Sequence, residues 1–133
     1  MREVNAITHE IVDAAYGIHT RLGPGLLESV YEAVLARMLE QRGLGVQRQA
    51  PIAFEFEGVQ IEEGFRVDLL VSSCVVVELK SVERLAPVHR KQLLTYLRLM
   101  NLHVGLLINF GAPTLKEGLQ RVVNSYTGPR PGS

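Results

Sequence analysis

Apolar residues at Ile7, Ile11, Ala14, Ala15, Ile18 and Leu22 recur at the spacing of one helix face, which predicts an amphipathic helix from Val4 to Leu22. Gly23-Pro24-Gly25 breaks it. Leu27, Tyr31, Val34, Leu35, Met38 and Leu39 then mark a second helix that closes near Gly43. From Val46 to Glu57 the period falls to two, with Ile52, Phe54 and Phe56 as β-formers, and Gly58 provides a turn. A hairpin is expected from Gly64 to about Val82. Pro87 stands near the start of a third helix that runs to about Asn101. The run HVGLLINF, His103 to Phe110, is apolar almost throughout and reads as a buried strand. Gly111 to Pro113 turns the chain, and Leu115 to Val123 is expected to form a last helix. The order α-α-β-β-β-α-β-α implies an α/β fold: three meandering strands, a helical crossover and a fourth strand in a mixed sheet flanked by helices.

Composition narrows the class without choosing a function. The chain has 133 residues, 47% of them hydrophobic and 21% charged, which suits one globular domain over residues 1–126. The ending TGPRPGS, residues 127–133, is expected to be a disordered tail. Fourteen basic residues balance fourteen acidic ones, so no global positive field marks a tight, non-specific DNA binder. A local basic groove remains compatible with that balance. The single cysteine, Cys74, cannot form an intramolecular disulfide. No apolar run approaches about 18 residues and no signal peptide is recognisable, so a cytoplasmic protein without membrane association is expected.

The hairpin carries the chemistry. FRVDLLVSSCVVVELK, Phe65 to Lys80, places Asp68, Glu78 and Lys80 among valines and leucines. Such strands ordinarily exclude charge, because burying an unpaired ion costs several kcal/mol or neutralises it. Two carboxylates and an amine there point to a shared partner, for which a divalent cation is the obvious candidate. Alternation puts Glu78 and Lys80 on one face. A two-residue turn at Ser72-Ser73 would set Asp68 opposite Val77, whereas a three-residue loop, Ser72-Ser73-Cys74, or a five-residue loop sets it opposite Glu78. A joint site therefore requires an odd-length loop, since a one-residue slip exchanges the faces. Taken alone, Glu-x-Lys reads first as a cross-strand ion pair on a solvated face, which is common in sheets.

Other polar residues have bland and functional readings of the same kind. Glu28, in GLLESVY, suits the positive end of a helix, and can also be a further metal ligand delivered to the hairpin. His89, Gln92 and Tyr96 share a face of the third helix, either as amphipathic patterning or as a polar strip over the metal site. Arg84, Arg90, Lys91 and Arg98 can contact phosphate or form a solvated face. His9, His19 and His103 lack zinc-ligand spacing. No P-loop, GxGxxG or GxSxG occurs. A glycosidase built on the acidic pairs would leave Lys80 and Gln92 without a role.

Together these pieces resemble a known family. Gly25-Leu26-Leu27-Glu28-Ser29-Val30-Tyr31 matches the GxxExxY motif, and Asp68, Glu78 and Lys80 follow the order of a PD-(D/E)xK signature in which Val67 replaces the proline. With HTRLGPGLLESVYE, GFRVDLLV, VVVELKSVERL, QLLTYLRL and GLLINFG, the chain resembles the GxxExxY protein family of the PD-(D/E)xK nuclease superfamily over roughly Ile7 to Val123. Gln92-Leu93-Leu94-Thr95-Tyr96 is also similar to the Q-h-x-x-Y motif of RecB-type exonucleases. The resemblance implies a restriction-endonuclease-like core with a four-stranded sheet, Mg²⁺ or Mn²⁺ as cofactor, and phosphodiester hydrolysis in nucleic acid. It assigns metal binding to Asp68 and Glu78 with Glu28, catalysis to Lys80, and supporting active-site roles to Gln92 and Tyr96. DNA is the expected substrate, and a homodimer is compatible with cutting both strands. The rival expectation is a non-catalytic module that binds nucleic acid or protein. A third is hydrolysis of a small phosphorylated molecule.

Overall fold

A computed structural model describes residues 2–125. Helical periodicity produces α1 (Arg2–Leu22) and α2 (Glu28–Gln41), which bury Ile7, Ile11, Ala14, Ala15 and Ile18 against Tyr31, Leu35, Ala36 and Leu39. Leu22 and Leu27, expected on these apolar faces, are 47% and 74% exposed. They flank the Gly-Pro-Gly break, and Leu27 is the extended residue that precedes α2, so helical geometry no longer aims it at the core.

The remaining elements are β1 (Val46–Phe56), β2 (Val59–Val71), β3 (Val75–Lys80), α3 (Pro87–Met100), β4 (Val104–Asn109), α4 (Leu115–Gly118) and β5 (Leu119–Val123). The strands form one sheet in the order β1-β2-β3-β4-β5. The α3 crossover makes β3 and β4 parallel, and the other neighbours are antiparallel. The tail expected over residues 127–133 lies outside the described residues. No helix among the described residues is long and apolar enough to cross a membrane.

The sheet has five strands, not four, because the last expected helix is a single turn. Its chain closes on β4 at Gly118, where a Cβ would stand 2.3 Å from the Asn109 carbonyl oxygen. From there Leu119 to Val123 pairs with Ile108 back to Val104. One turn of helix gains little, whereas the open edge of β4 offers a row of unpaired backbone groups.

Helices α1 and α2 cover one face of the sheet and α3 covers the other. Val75, Val77 and Leu79 of β3 face the α1–α2 layer, while Val76 faces Leu93 and Leu97 of α3. The β1–β2 hairpin departs from simple alternation. Val46, Leu69 and Val71 pack on the α1–α2 side, yet Ala50, Ile52, Phe65 and Val67 pack on the α3 side. Register is unchanged across the step, with Arg48 opposite Leu69 and Ala50 opposite Val67. Both strands therefore exchange faces together at Gln49 and Asp68, where Gln49 has a left-handed φ of +48°. This corner places Asp68 where the sheet bends.

A second device holds the α1–α2 connection against the end of β3. Tyr31 is fully buried, stacks on Phe110 with ring centroids 4.4 Å apart, and donates its hydroxyl to Gly23 O at 2.5 Å. The same hydroxyl accepts from Leu26 N–H at 3.2 Å, and Ser81 Oγ donates to Leu26 O at 2.6 Å. Gly25 has φ +111°, a conformation that side chains disfavour. The glycine and tyrosine of the motif are thus parts of one loop anchor. Tyr31→Phe keeps the stack but loses both hydroxyl bonds, so unfolding in urea should show a loss of about 1–3 kcal/mol. Hydrogen exchange at the Leu26 amide should accelerate; a variant with unchanged stability and protection would contradict the anchor.

Candidate active site

The β2–β3 ladder pairs Val71 with Val75, Leu70 with Val76 and Leu69 with Val77. The loop is therefore Ser72-Ser73-Cys74, the odd-length connection that a joint site requires. Ser72 and Ser73 are left-handed at φ +51° and +57°, and Cys74 N–H closes the turn on Val71 O at 3.1 Å. One step beyond Leu69 the carboxylates take over the ladder. Asp68 N–H donates to Glu78 Oε2 at 2.7 Å, and Leu79 N–H donates to Asp68 Oδ2 at 2.8 Å. Two backbone donors that a continuing strand pair would satisfy instead orient two side chains.

Both carboxylates are raised above their ordinary pKa range. For Glu78, 8% exposed, burial is the main cause and the Asp68 charge the second; together they push it up to about 8. For Asp68, burial outweighs the stabilising hydrogen bonds from Leu79 N–H and the Gln49 side chain. The Lys80 charge lowers both, yet its ammonium makes no hydrogen bond or close ion pair among the described residues. An ion pair on a solvated face is thus excluded as the role of Glu78 and Lys80. Burial without a neutralising partner is what strand pairing alone would avoid.

Such a donor set fits a small divalent cation. Its oxygens are hard ligands, two carboxylates repel one another, and Glu78 Oε1 accepts no hydrogen bond among the described residues. No group of three or more His, Cys, Asp or Glu residues is arranged to hold a metal among the described residues. Water and substrate oxygens would have to complete the coordination, as Mg²⁺ commonly allows.

The other expected residues are distributed unevenly. Tyr96 reaches the site: it stacks on Phe65 with centroids 4.1 Å apart, and burial, then Glu78, then Asp68, raise its hydroxyl pKa. Gln92 is exposed, one turn earlier on the same helix. Glu28 is exposed at the start of α2 and lines a surface hollow with Leu26, Leu27 and Ser81. It is not among the charges that shift Asp68 or Glu78. His89 caps α3, its Nδ1 accepting from Ala86 N–H at 3.1 Å. Arg90 turns toward β5, donating to Gln120 Oε1 and Arg121 O at 3.4 Å.

Three residues near the site were missed by pattern. Glu32, 7% exposed on α2, is one of the charges that raise Asp68 and Glu78. Gln49 links it to Asp68, with bonds of 2.6 Å to Glu32 Oε1 and 3.1 Å to Asp68 Oδ1. Asn109, 1% exposed, clasps the chain after Lys80: its Oδ1 accepts from Val82 and Gly111 N–H at 3.0 Å each, and its Nδ2 donates to Val82 O at 2.9 Å. A polar residue ending the apolar run of β4 was the available signal for Asn109. Glu32, one residue after Tyr31, had none beyond its acidity.

Comparison with curated proteins and with solved structures gave no match. The family model described as the PD-(D/E)XK nuclease superfamily matches residues 5–122, a span that holds the paired carboxylates, Lys80 and every element from α1 to β5 apart from the first three residues of α1 and the last of β5. A mixed sheet flanked by helices agrees with that match, and the chain belongs to the PD-(D/E)XK nuclease superfamily.

Proposed function

We propose that this chain is a metal-dependent nuclease of the GxxExxY group that hydrolyses phosphodiester bonds in DNA. The observation that carries the reading is the mutually repelling pair of half-buried Asp68 and buried Glu78, with Lys80 two residues beyond Glu78 on the same strand. Asp68 and Glu78 would hold Mg²⁺ or Mn²⁺. Once bound, the ion would polarise a phosphoryl oxygen and lower the pKa of the attacking water. Lys80 orients that water or stabilises charge developing on the phosphate. Tyr96, held by its stack on Phe65, borders the same space and supports the bound phosphate. Gln92 is assigned to a supporting contact with substrate, and Glu28, in the hollow beside Ser81, would reach the ion only through a bridging water.

Calorimetry with Mg²⁺ and Mn²⁺ on wild type and on the Asp68→Ala, Glu78→Ala double variant tests the reading, alongside cleavage of single- and double-stranded DNA. Binding and cleavage should both disappear in the double variant. Cleavage that survives the double substitution would overturn the assignment. Metal-independent binding of DNA without hydrolysis would favour the non-catalytic module.

A further inference from the structure

The corner of the β1–β2 hairpin contains a residue that neither the fold nor the metal ligands account for. Gln49 sits in the left-handed region at φ +48°, which costs a residue other than glycine about 1–2 kcal/mol. A glycine or asparagine would make the same bend with less strain. The glutamine instead places its amide nitrogen between two carboxylates, 2.6 Å from Glu32 Oε1 and 3.1 Å from Asp68 Oδ1. An amide nitrogen carries two hydrogens, so each acceptor receives one. Glu32 is held in turn by Arg48 Nε at 3.1 Å, on the α2 side of the sheet. Asp68 is thereby gripped from two directions, by Gln49 at Oδ1 and by Leu79 N–H at Oδ2.

We infer that Gln49 is a positioning residue of the nuclease site: anchored on Glu32, it fixes the Asp68 carboxylate in the orientation that receives the ion. The inference rests on Asp68 and Glu78 being the metal ligands. Strain is retained at Gln49 because the reach of this side chain, from a bend in β1, joins α2 to the site. Residues that orient metal ligands in this way commonly change affinity about 10–100-fold when removed.

The test is a Mn²⁺ titration, followed by the paramagnetic signal of the free ion, on the full chain as wild type, Q49A, Q49G and the Asp68→Ala, Glu78→Ala double variant. Urea unfolding is measured on each. Q49A and Q49G should both bind Mn²⁺ about 10–100-fold more weakly. Q49G should nevertheless unfold at a higher urea concentration than Q49A, since glycine relieves the strain. Wild-type affinity in Q49G, with binding still abolished in the double variant, overturns this inference and leaves the metal site standing. Affinity that falls only in step with stability, Q49G being no more stable than Q49A, makes Gln49 structural and also overturns it. Failure of the wild type to bind Mn²⁺ overturns both readings.

Discussion

Lys80→Ala should reduce cleavage by about 10²–10³-fold, the loss typical when one preorganised charge-stabilising group is removed, while the protein still folds and still binds Mg²⁺. Lys80 makes no ion pair or side-chain hydrogen bond among the described residues, so truncating it breaks no contact that holds β3 in place. Its backbone stays tied into the parallel pairing with Asn109, and its carbonyl still accepts from Phe110 N–H at 2.9 Å. Its positive charge opposes that of a cation in the same site, so metal affinity should hold or tighten. Single-turnover cleavage, calorimetry and a thermal melt on one preparation separate these effects. Full activity in Lys80→Ala would remove the lysine from the mechanism.

Glu78→Gln should remove most of the fall in stability with rising pH and abolish metal binding. The folded protein holds the Glu78 proton up to about pH 8, whereas the unfolded chain releases it near its ordinary 4.5. Between those values the folded state binds more protons, so stability falls as pH rises through the window. The difference amounts to a few kcal/mol at the alkaline end, since each tenfold change in proton affinity between the folded and unfolded states is worth about 1.4 kcal/mol. Glutamine keeps an acceptor for Asp68 N–H but has no proton to lose, so the variant should be the more stable protein at pH 8 and the slope should flatten. Mg²⁺ takes the ionised carboxylate and releases a proton, so in wild type its affinity should climb across the same window. Urea unfolding from pH 5 to pH 9, with and without Mg²⁺, checks both parts. A wild-type slope equal to that of Glu78→Gln would mean that Glu78 is ionised throughout.

Both effects come from a pair of residues ten positions apart that a short loop brings together, and that much was legible from the chain. Period-two alternation, the Ser-Ser-Cys spacing and the need for both carboxylates on one face led to the observed register. Helices α1, α2 and α3 were legible for the same reason: their apolar spacing runs over several turns and their ends carry Gly or Pro. Spacing failed where few residues were available to carry it. LKEGLQRVV supports one helical turn or one strand about equally, and the unpaired edge of β4 settles the choice.

The hidden part of the site depends on contacts between residues far apart in sequence. Glu32 looks like a solvated helical glutamate until α2 packs over β1 and encloses it with Arg48 and Gln49. Gln49 looks like one more polar residue on a strand until the hairpin bends there and exchanges its faces. Glu28 shows the converse, since it belongs to a motif while the packed fold leaves it exposed in a hollow beside Ser81. Local periodicity is a property of neighbouring residues and survives in the sequence, so it determined α1, α2, α3, the hairpin register and the meeting of Asp68 with Glu78. Which carboxylates lose water, and which polar side chain is left to orient them, depends on how the layers close over the sheet, and that was decided only when the chain folded.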